Sequence, residues 1–188
     1  MARYKTQSFA FNKYLYWISF GFIFLLSIPS FGQVKTEIIF PDSNVVFKTA
    51  EMEGVIFGMN FKWRFMIDST RTIEHDPLKV MAGEENAVRY MPDIGIAEQI
   101  EMALKSFIQD SDNFIANNLQ LYTKQYFGYI TSTGDSIIWI NCFHDEEIKM
   151  DEYWKSSFVS MYDGGHNYFK VRYNLSRREF FDLWINGL

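Results

Sequence analysis

The chain has 188 residues, of which 18 are basic and 23 acidic, so its formal net charge at pH 7 is −5. Three of the basic residues and none of the acidic ones lie within residues 1–32, which leaves 15 against 23 and a charge of −8 for residues 33–188. This sign disfavours nucleic acid as a partner, because phosphates require a basic face, and disfavours electrostatic binding to an anionic membrane surface.

The first 32 residues have the pattern of a secretory signal peptide. A basic start is followed by the apolar run LYWISFGFIFLLSI at 15–28. Small residues at Ser30 and Gly32 suit signal peptidase and predict cleavage between Gly32 and Gln33. The 14-residue run is shorter than the roughly 20 residues that a membrane-spanning helix needs. We therefore expect export to the periplasm or the extracellular space, with no stable membrane anchor after cleavage.

Residues 33–188 contain no repeat, low-complexity tract or Pro/Ser-rich linker, so we expect one domain. Short strands are predicted at 36–40 and 44–48. A stronger strand is predicted at 60–68, because alternate residues in NFKWRFMID are apolar. Residues 68–92 are expected to form a long connection, with a short helix at 84–90 as an alternative.

A helix is predicted after Asp93, which can cap its first turn. Its apolar stripe comprises Ile96, Ile100, Ala103, Leu104 and Phe107. The polar sequence at 109–113 is expected to break or bend this helix. Five strands are then predicted, at 126–131, 136–143, 157–162, 167–173 and 179–186.

This order of elements predicts an α+β fold, with one long helix packed on a curved antiparallel sheet. The C-terminal part of the sheet is expected to be a meander of about five strands. The arrangement is similar to that of cystatin-like and nuclear-transport-factor-like domains. A fold analogy of this kind assigns no function.

Cys142 is the only cysteine, so no internal disulfide can form, and its apolar neighbours predict a buried structural thiol rather than a nucleophile. His144, Asp145 and Glu146 are adjacent donors that could hold a divalent metal. The favoured interpretation is a solvated acidic loop, because a second histidine at zinc-site spacing is absent from this stretch. His166 is expected at the opposite end of the sheet. The sequence predicts no cofactor.

The stretch from Asp163 to His166 contains two glycines between aromatic runs. Asp163 and His166 are weak candidates for acid–base catalysis. The favoured interpretation is a hairpin turn in which glycine supplies the positive φ. The chain also lacks the nucleophile-elbow, P-loop, dinucleotide and paired-cysteine motifs that most often identify an enzyme.

Aromatic residues are unusually frequent, at 19% of the chain. Alternation places Tyr168 on the same face as Lys170, and places Phe180 and Trp184 on one face with Asp182. Aromatic side chains on an exposed sheet face can stack on sugar rings or bind a partner protein. The alternative is that this face is covered by the N-terminal strands or by the second part of the helix.

Two C-terminal segments carry a family resemblance: KQYFGYITSTGDSIIWINCF at 124–143 and VSMYDGGHNYFKVRYNLSRREFFDLWING at 159–187, with Trp154 between them. They resemble a family of small, uncharacterised secreted proteins of Bacteroidota-type bacteria. The shared features are a Q-Y-x-G-Y strand, an I-x-I-N strand, a D-G-G turn before an aromatic strand, and a closing N-G. The resemblance implies export and supplies no catalytic residues.

Three hypotheses about function follow from these patterns. The favoured one is a non-enzymatic, secreted or periplasmic binding module for a partner protein or a glycan, with Tyr168, Phe180 and Trp184 as the binding face. The second is a small enzyme with an acid–base site, formed by His166 and Asp163, in the pocket between helix and sheet. The third is an envelope component that associates with its own copies.

Overall fold

The structure is a computed structural model that describes residues 34–39, 42–68, 71–83, 86–161 and 163–187. For residues 65–68 and 71–72 the description is limited to the backbone. The predicted signal peptide, including the cleavage site between Gly32 and Gln33, lies outside the described residues.

The described residues form an α+β fold with ten strands and three α-helices. The strands are β1 Lys35–Ile39, β2 Asn44–Lys48, β3 Glu53–Ile56, β4 Trp63–Asp68, β5 Arg71–His75, β6 Val88–Tyr90, β7 Thr123–Ile130, β8 Ser136–Phe143, β9 Tyr168–Asn174 and β10 Glu179–Ile185. The helices are α1 Ile94–Gln109, α2 Asn113–Asn118 and α3 Glu146–Asp151. Short turns of other helical types are Leu78–Ala82 (π) and Leu119–Leu121, Tyr153–Lys155 and Gly165–Asn167 (3₁₀).

Eight of these strands form one mixed sheet in the order β1-β2-β3-β7-β8-β9-β10, with β6 also paired to β7. Strand β3 runs parallel to the first half of β7, and β6 runs antiparallel to its second half. Strands β4 and β5 form a separate hairpin. The prediction of a meander of about five strands is therefore wrong in two respects. The meander has fewer strands than predicted, and the sheet that contains it has more. Four consecutive antiparallel strands, β7 to β10, belong to a sheet of eight.

The predicted strand at 157–162 is absent from the described part of that segment, 157–161. Two amide side chains on the sheet bind its backbone instead. Gln125 Nε2 donates to the carbonyls of Trp154 and Ser157, both at 2.8 Å. The Val159 amide donates to Gln125 Oε1 at 3.0 Å, and Asn141 Nδ2 donates to the Val159 carbonyl at 2.9 Å. The segment is thus held across the face of the sheet and adds no strand to it.

The stretch 68–92 is more regular than predicted, since it contains β5, the π-turn and β6. The alternative of a helix at 84–90 is wrong for 88–90, which is a strand. Arg89 explains how β6 is held in place. Its guanidinium donates to the carbonyls of Gly128, Phe57 and Gly58 at 2.6, 3.0 and 2.9 Å, and lies 3.6 Å from the centre of the Phe127 ring. Burial lowers the pKa of Arg89 to about 10.

The long helix is confirmed as α1, and Asp93 caps it by accepting a hydrogen bond from the Ile96 amide at 2.8 Å. The predicted stripe is rotated slightly, because Ala103 is exposed. The buried positions of α1 are Ala97, Ile100, Leu104 and Ile108. The predicted break at 109–113 is also confirmed, since α2 begins at Asn113 with Asp112 as its cap.

Both faces of the central strands are buried, which explains the near-continuous apolar sequence of β7 and β8. One face packs against α1 and α2, through Ile138, Ile140 and Cys142 of β8. The other face, through Ile137, Trp139 and Phe143 of β8, packs against the π-turn, α3 and the segment that carries Trp154 and Phe158. We call these the helix face and the loop face.

Candidate functional site

The three predicted binding residues do not share one face. A bulge interrupts the pairing of β10 with β9 between Phe181 and Trp184, where Asp182 has a φ of 52°. Because a bulge adds a residue to one strand, it reverses the alternation of faces beyond it. Phe180 therefore lies on the helix face, where its ring stacks 4.8 Å from that of Phe107. Trp184 lies on the loop face, opposite Lys170.

Tyr168 is on the loop face but is only 7% exposed. Its hydroxyl donates to Asp145 Oδ2 at 2.6 Å. Burial, followed by this hydrogen bond, raises the pKa of Tyr168 above its ordinary value. Tyr168 is therefore a packing residue that fixes the start of α3, and Trp184, which is 45% exposed, is the most exposed of the three predicted binding residues.

The pKa of Asp145 is lowered, chiefly by the hydrogen bond from Tyr168 and also by the amides of Ile148 and Glu147. Because the pKa of Asp145 is lower in the folded state, its ionised carboxylate stabilises the fold at pH values above the ordinary aspartate pKa of about 3.9. This contribution is lost as the pH falls through the lowered pKa. Asp145→Asn should therefore destabilise the protein by about 1 kcal/mol at pH 7, since asparagine still caps a helix but weakens the charged hydrogen bond.

Urea unfolding of wild type and Asp145→Asn at several pH values checks this prediction. The difference between them should be constant from pH 7 to about pH 5 and should shrink as the pH is lowered further towards 3. Asp151→Asn, at the exposed C-terminal end of α3, is the matched control and should follow wild type at every pH. A difference that stays constant down to about pH 3 would contradict the assigned role of the Asp145 charge.

A cleft of about 440 Å³ lies beside Trp184. Its polar lining includes Asn141, Asp163, Lys170 and Asn186. The Lys170 ammonium lies 4.4 Å from the centre of the Trp184 ring. Burial and the nearby Arg172 lower the pKa of Lys170. Clefts of about 300–1,000 Å³ with a few convergent polar groups are typical ligand sites.

Part of the cleft lining belongs to the 153–161 segment, and hydrogen bonds from side-chain amides fix that segment in position. Asn141 binds the Val159 carbonyl, and Asn186 Nδ2 donates to the Met161 carbonyl at 2.8 Å. The segment and the end of β10 are thereby fixed to each other through side-chain amides. The lining is preorganised, so a ligand loses little free energy in ordering it.

The predicted acid–base pair of His166 and Asp163 is not the pair that the structure forms. His166 Nδ1 lies 2.7 Å from Oδ2 of Asp112, the residue that caps α2. His166 does not line the cleft, whereas Asp163 does. Sequence reasoning missed Asp112 because 54 positions separate it from His166.

The glycines of the D-G-G stretch have local structural roles. Gly165 has the predicted positive φ, at 57°. At Gly164 a Cβ atom would overlap the ring of Tyr168, so this position must lack a side chain. The stretch is not a hairpin turn, because the described residues before it, 157–161, are not a strand.

The weak metal candidates bind other groups of the protein. Asp145 accepts three hydrogen bonds, from the Tyr168 hydroxyl and the amides of Glu147 and Ile148. Glu146 Oε1 lies 3.7 Å from Lys149 Nζ. Within the described residues, no group of three His, Cys, Asp or Glu side chains is arranged to hold a metal ion.

His144 and His166 lie at the same end of the sheet, not at opposite ends as predicted. The His144 amide donates to the carbonyl of Asn167 at 2.8 Å. The prediction failed because it placed an additional strand between β8 and β9, whereas these two strands pair directly.

The interpretation of Cys142 as a buried thiol is confirmed, since its side chain is fully buried on the helix face. Burial raises its pKa, an effect that the Lys124 ammonium opposes. A thiol with a raised pKa is a poor nucleophile at neutral pH.

Lys170, Asn141 and Asn186 are site residues that sequence reasoning did not propose. A signal existed for Lys170, because the alternation in YFKVRY places it on the opposite face from Phe169 and Val171. The two asparagines gave no such signal, since their role depends on a segment distant in the sequence.

Comparisons of the chain with protein-family models, curated proteins and solved structures found no match. The resemblance to small secreted proteins therefore stays a prediction. None of the helices in the described ranges is both long enough and apolar enough to span a bilayer.

Proposed function

We propose that the protein is an exported, non-enzymatic binding module for a glycan or a partner protein, and that its ligand binds in the Trp184 cleft. The observation that carries the proposal is the exposed Trp184 indole beside this cleft, with Lys170 against its ring. A half-exposed tryptophan offers a large apolar surface that a sugar ring or an apolar side chain can cover. Export is supported by the basic and apolar pattern of residues 1–32.

The proposal also includes a more specific assignment of the fold. We propose that α1 on the β7–β10 meander forms a cystatin-like unit. Its support is the packing of α1 residues Ala97, Ile100 and Leu104 on the helix face. Strands β1 to β3 would then be an addition to that unit, joined to it by the parallel pairing of β3 with β7.

The proposal is tested by thermal unfolding of the protein against panels of glycans and of peptides. A ligand at a hundred times its dissociation constant adds about 2.7 kcal/mol to the stability of the folded state. For any ligand found, Trp184→Ala should weaken binding about tenfold, which corresponds to roughly 1.4 kcal/mol.

Phe114→Ala is the matched control, because Phe114 is an exposed aromatic residue, at 54%, that does not line the cleft. Its variant should bind like wild type. Unchanged affinity in Trp184→Ala would place the binding site elsewhere and overturn the assignment of the cleft.

A further inference from the structure

Within the described ranges, the Lys170 ammonium has no carboxylate partner. Lys124, Lys149 and Lys155 are the other lysines in the described part of the chain that are buried or half-buried. Each of these has a glutamate oxygen within 4.0 Å of its ammonium. No such carboxylate lies near Lys170 among the described residues, and its contact is the Trp184 ring. A half-buried cation is costly unless it is paired with an anion.

Charged side chains of both signs lie near Lys170. Arg172 is the next residue on the same face, and its guanidinium is partly neutralised by Asp182 at 3.4 Å. Asp163 lines the cleft but lies beyond 4.0 Å from the Lys170 ammonium. The charged side chains of the lining are thus Lys170 and Asp163, one of each sign, and they are not in contact as an ion pair. An ammonium group that has no carboxylate partner among the described residues favours a ligand with a localised negative charge.

The other groups of the cleft favour a saccharide as the carrier of that charge. The exposed Trp184 ring suits the apolar C–H face of a pyranose. The Asp163 carboxylate can accept hydrogen bonds from hydroxyl groups, since an ionised carboxylate is solely an acceptor. The Lys170 ammonium is a point charge that can donate up to three hydrogen bonds, which suits a carboxylate or a sulfate.

We propose that the Trp184 cleft recognises a negatively charged saccharide, with Lys170 binding its carboxylate or sulfate group. This inference rests on the proposed function and names the class of ligand. The saccharide ring covers the indole, its anionic group reaches the Lys170 ammonium, and its hydroxyl groups face Asp163.

The test is isothermal titration of the protein with pairs of oligosaccharides that differ in charge alone. Trimeric uronates and sulfated trimers are each measured beside the neutral trimer of the same linkage. We expect at least one charged member to bind about tenfold more tightly than its neutral partner, and expect this preference to fall with rising salt concentration. Comparing the affinities of the uronate and the sulfated trimers identifies which anionic group is preferred.

Variants at Lys170 then assign the preference to its charge. Lys170→Met should abolish the difference between charged and neutral trimers, whereas Lys170→Arg should retain most of it. Lys105→Met, which removes an exposed lysine from α1, is the control and should keep the preference. Circular dichroism of each variant verifies that the fold is intact.

Each of the remaining outcomes overturns the inference. Equal affinity for charged and neutral trimers, with binding still dependent on Trp184, overturns it and leaves the proposed function standing. A charge preference that persists in Lys170→Met overturns the role of Lys170. Binding of no saccharide overturns the inference together with the glycan part of the proposed function.

Discussion

Replacing Gln125 by leucine is expected to lower the free energy of unfolding by about 4 kcal/mol, because each buried polar group left without a partner costs roughly 1–3 kcal/mol. The Gln125 amide is fully buried and binds the backbone at Trp154, Ser157 and Val159. It also accepts a hydrogen bond from Asn141 Nδ2 at 2.9 Å. Leucine fills a similar volume and satisfies none of these groups.

Urea unfolding followed by tryptophan fluorescence measures this loss. A native-state protease digest should also show earlier cleavage within 153–161, because the amide network holds this segment on the sheet. Gln109→Leu is the matched control, since Gln109 is exposed at the end of α1, and it should change stability by less than about 0.5 kcal/mol. Equal, small losses in both variants would show that the segment is held by its apolar contacts alone.

The amide network also marks the limit of sequence reasoning about the fold. Strands β8 and β2 were predicted with their observed bounds, and α1 with its cap, because their patterns are local. The stretch 157–162 has a strand-like sequence, yet the described backbone at 157–161 is bound by the side chains of Gln125, Asn141 and Asn186 rather than by a neighbouring strand. This arrangement depends on the positions of Gln125 and Asn141 on the loop face, and sequence periodicity does not predict which segment these side chains bind.

The candidate site shows a second limit. Alternation assigns residues to faces correctly while the strand is regular, as it did for Tyr168 and Lys170. One bulge near Asp182 separated Phe180 from Trp184. Aspartate with a positive φ is uncommon, so the sequence offered little reason to place a bulge there. Trp184 is 45% exposed, whereas Tyr168 is buried and Phe180 is partly buried against the helix face.

The ion pair between α1 and the sheet should show strong coupling between its two members. Lys124 Nζ is fully buried on the helix face and lies 2.8 Å from Glu101 Oε1. It also donates to the Leu119 carbonyl at 2.9 Å. Glu101→Leu leaves the ammonium buried without a counter-charge, so we expect a loss of about 3–5 kcal/mol. Lys124→Met should cost less, because the Glu101 side chain is 14% exposed and water can reach it.

The double variant Lys124→Met/Glu101→Leu should be nearly as stable as wild type, since apolar residues of similar size avoid the desolvation of both charges. Two features of the site support this expectation. The second oxygen of Glu101 and the hydroxyl of Tyr126 are buried without hydrogen-bond partners in the described protein, so the charges are poorly compensated.

A double-mutant cycle by urea unfolding measures the coupling. The exposed pair of Lys48 and Glu53, at 3.3 Å, is the matched control, and Lys48→Met should cost less than about 1 kcal/mol. Additive losses at Lys124 and Glu101 would mean that the two charges are not coupled, and would contradict the prediction. Recovery in the double variant would mean instead that the two charges are strongly coupled and that the pair contributes no net stability over an apolar contact, because the desolvation of both charges offsets their attraction.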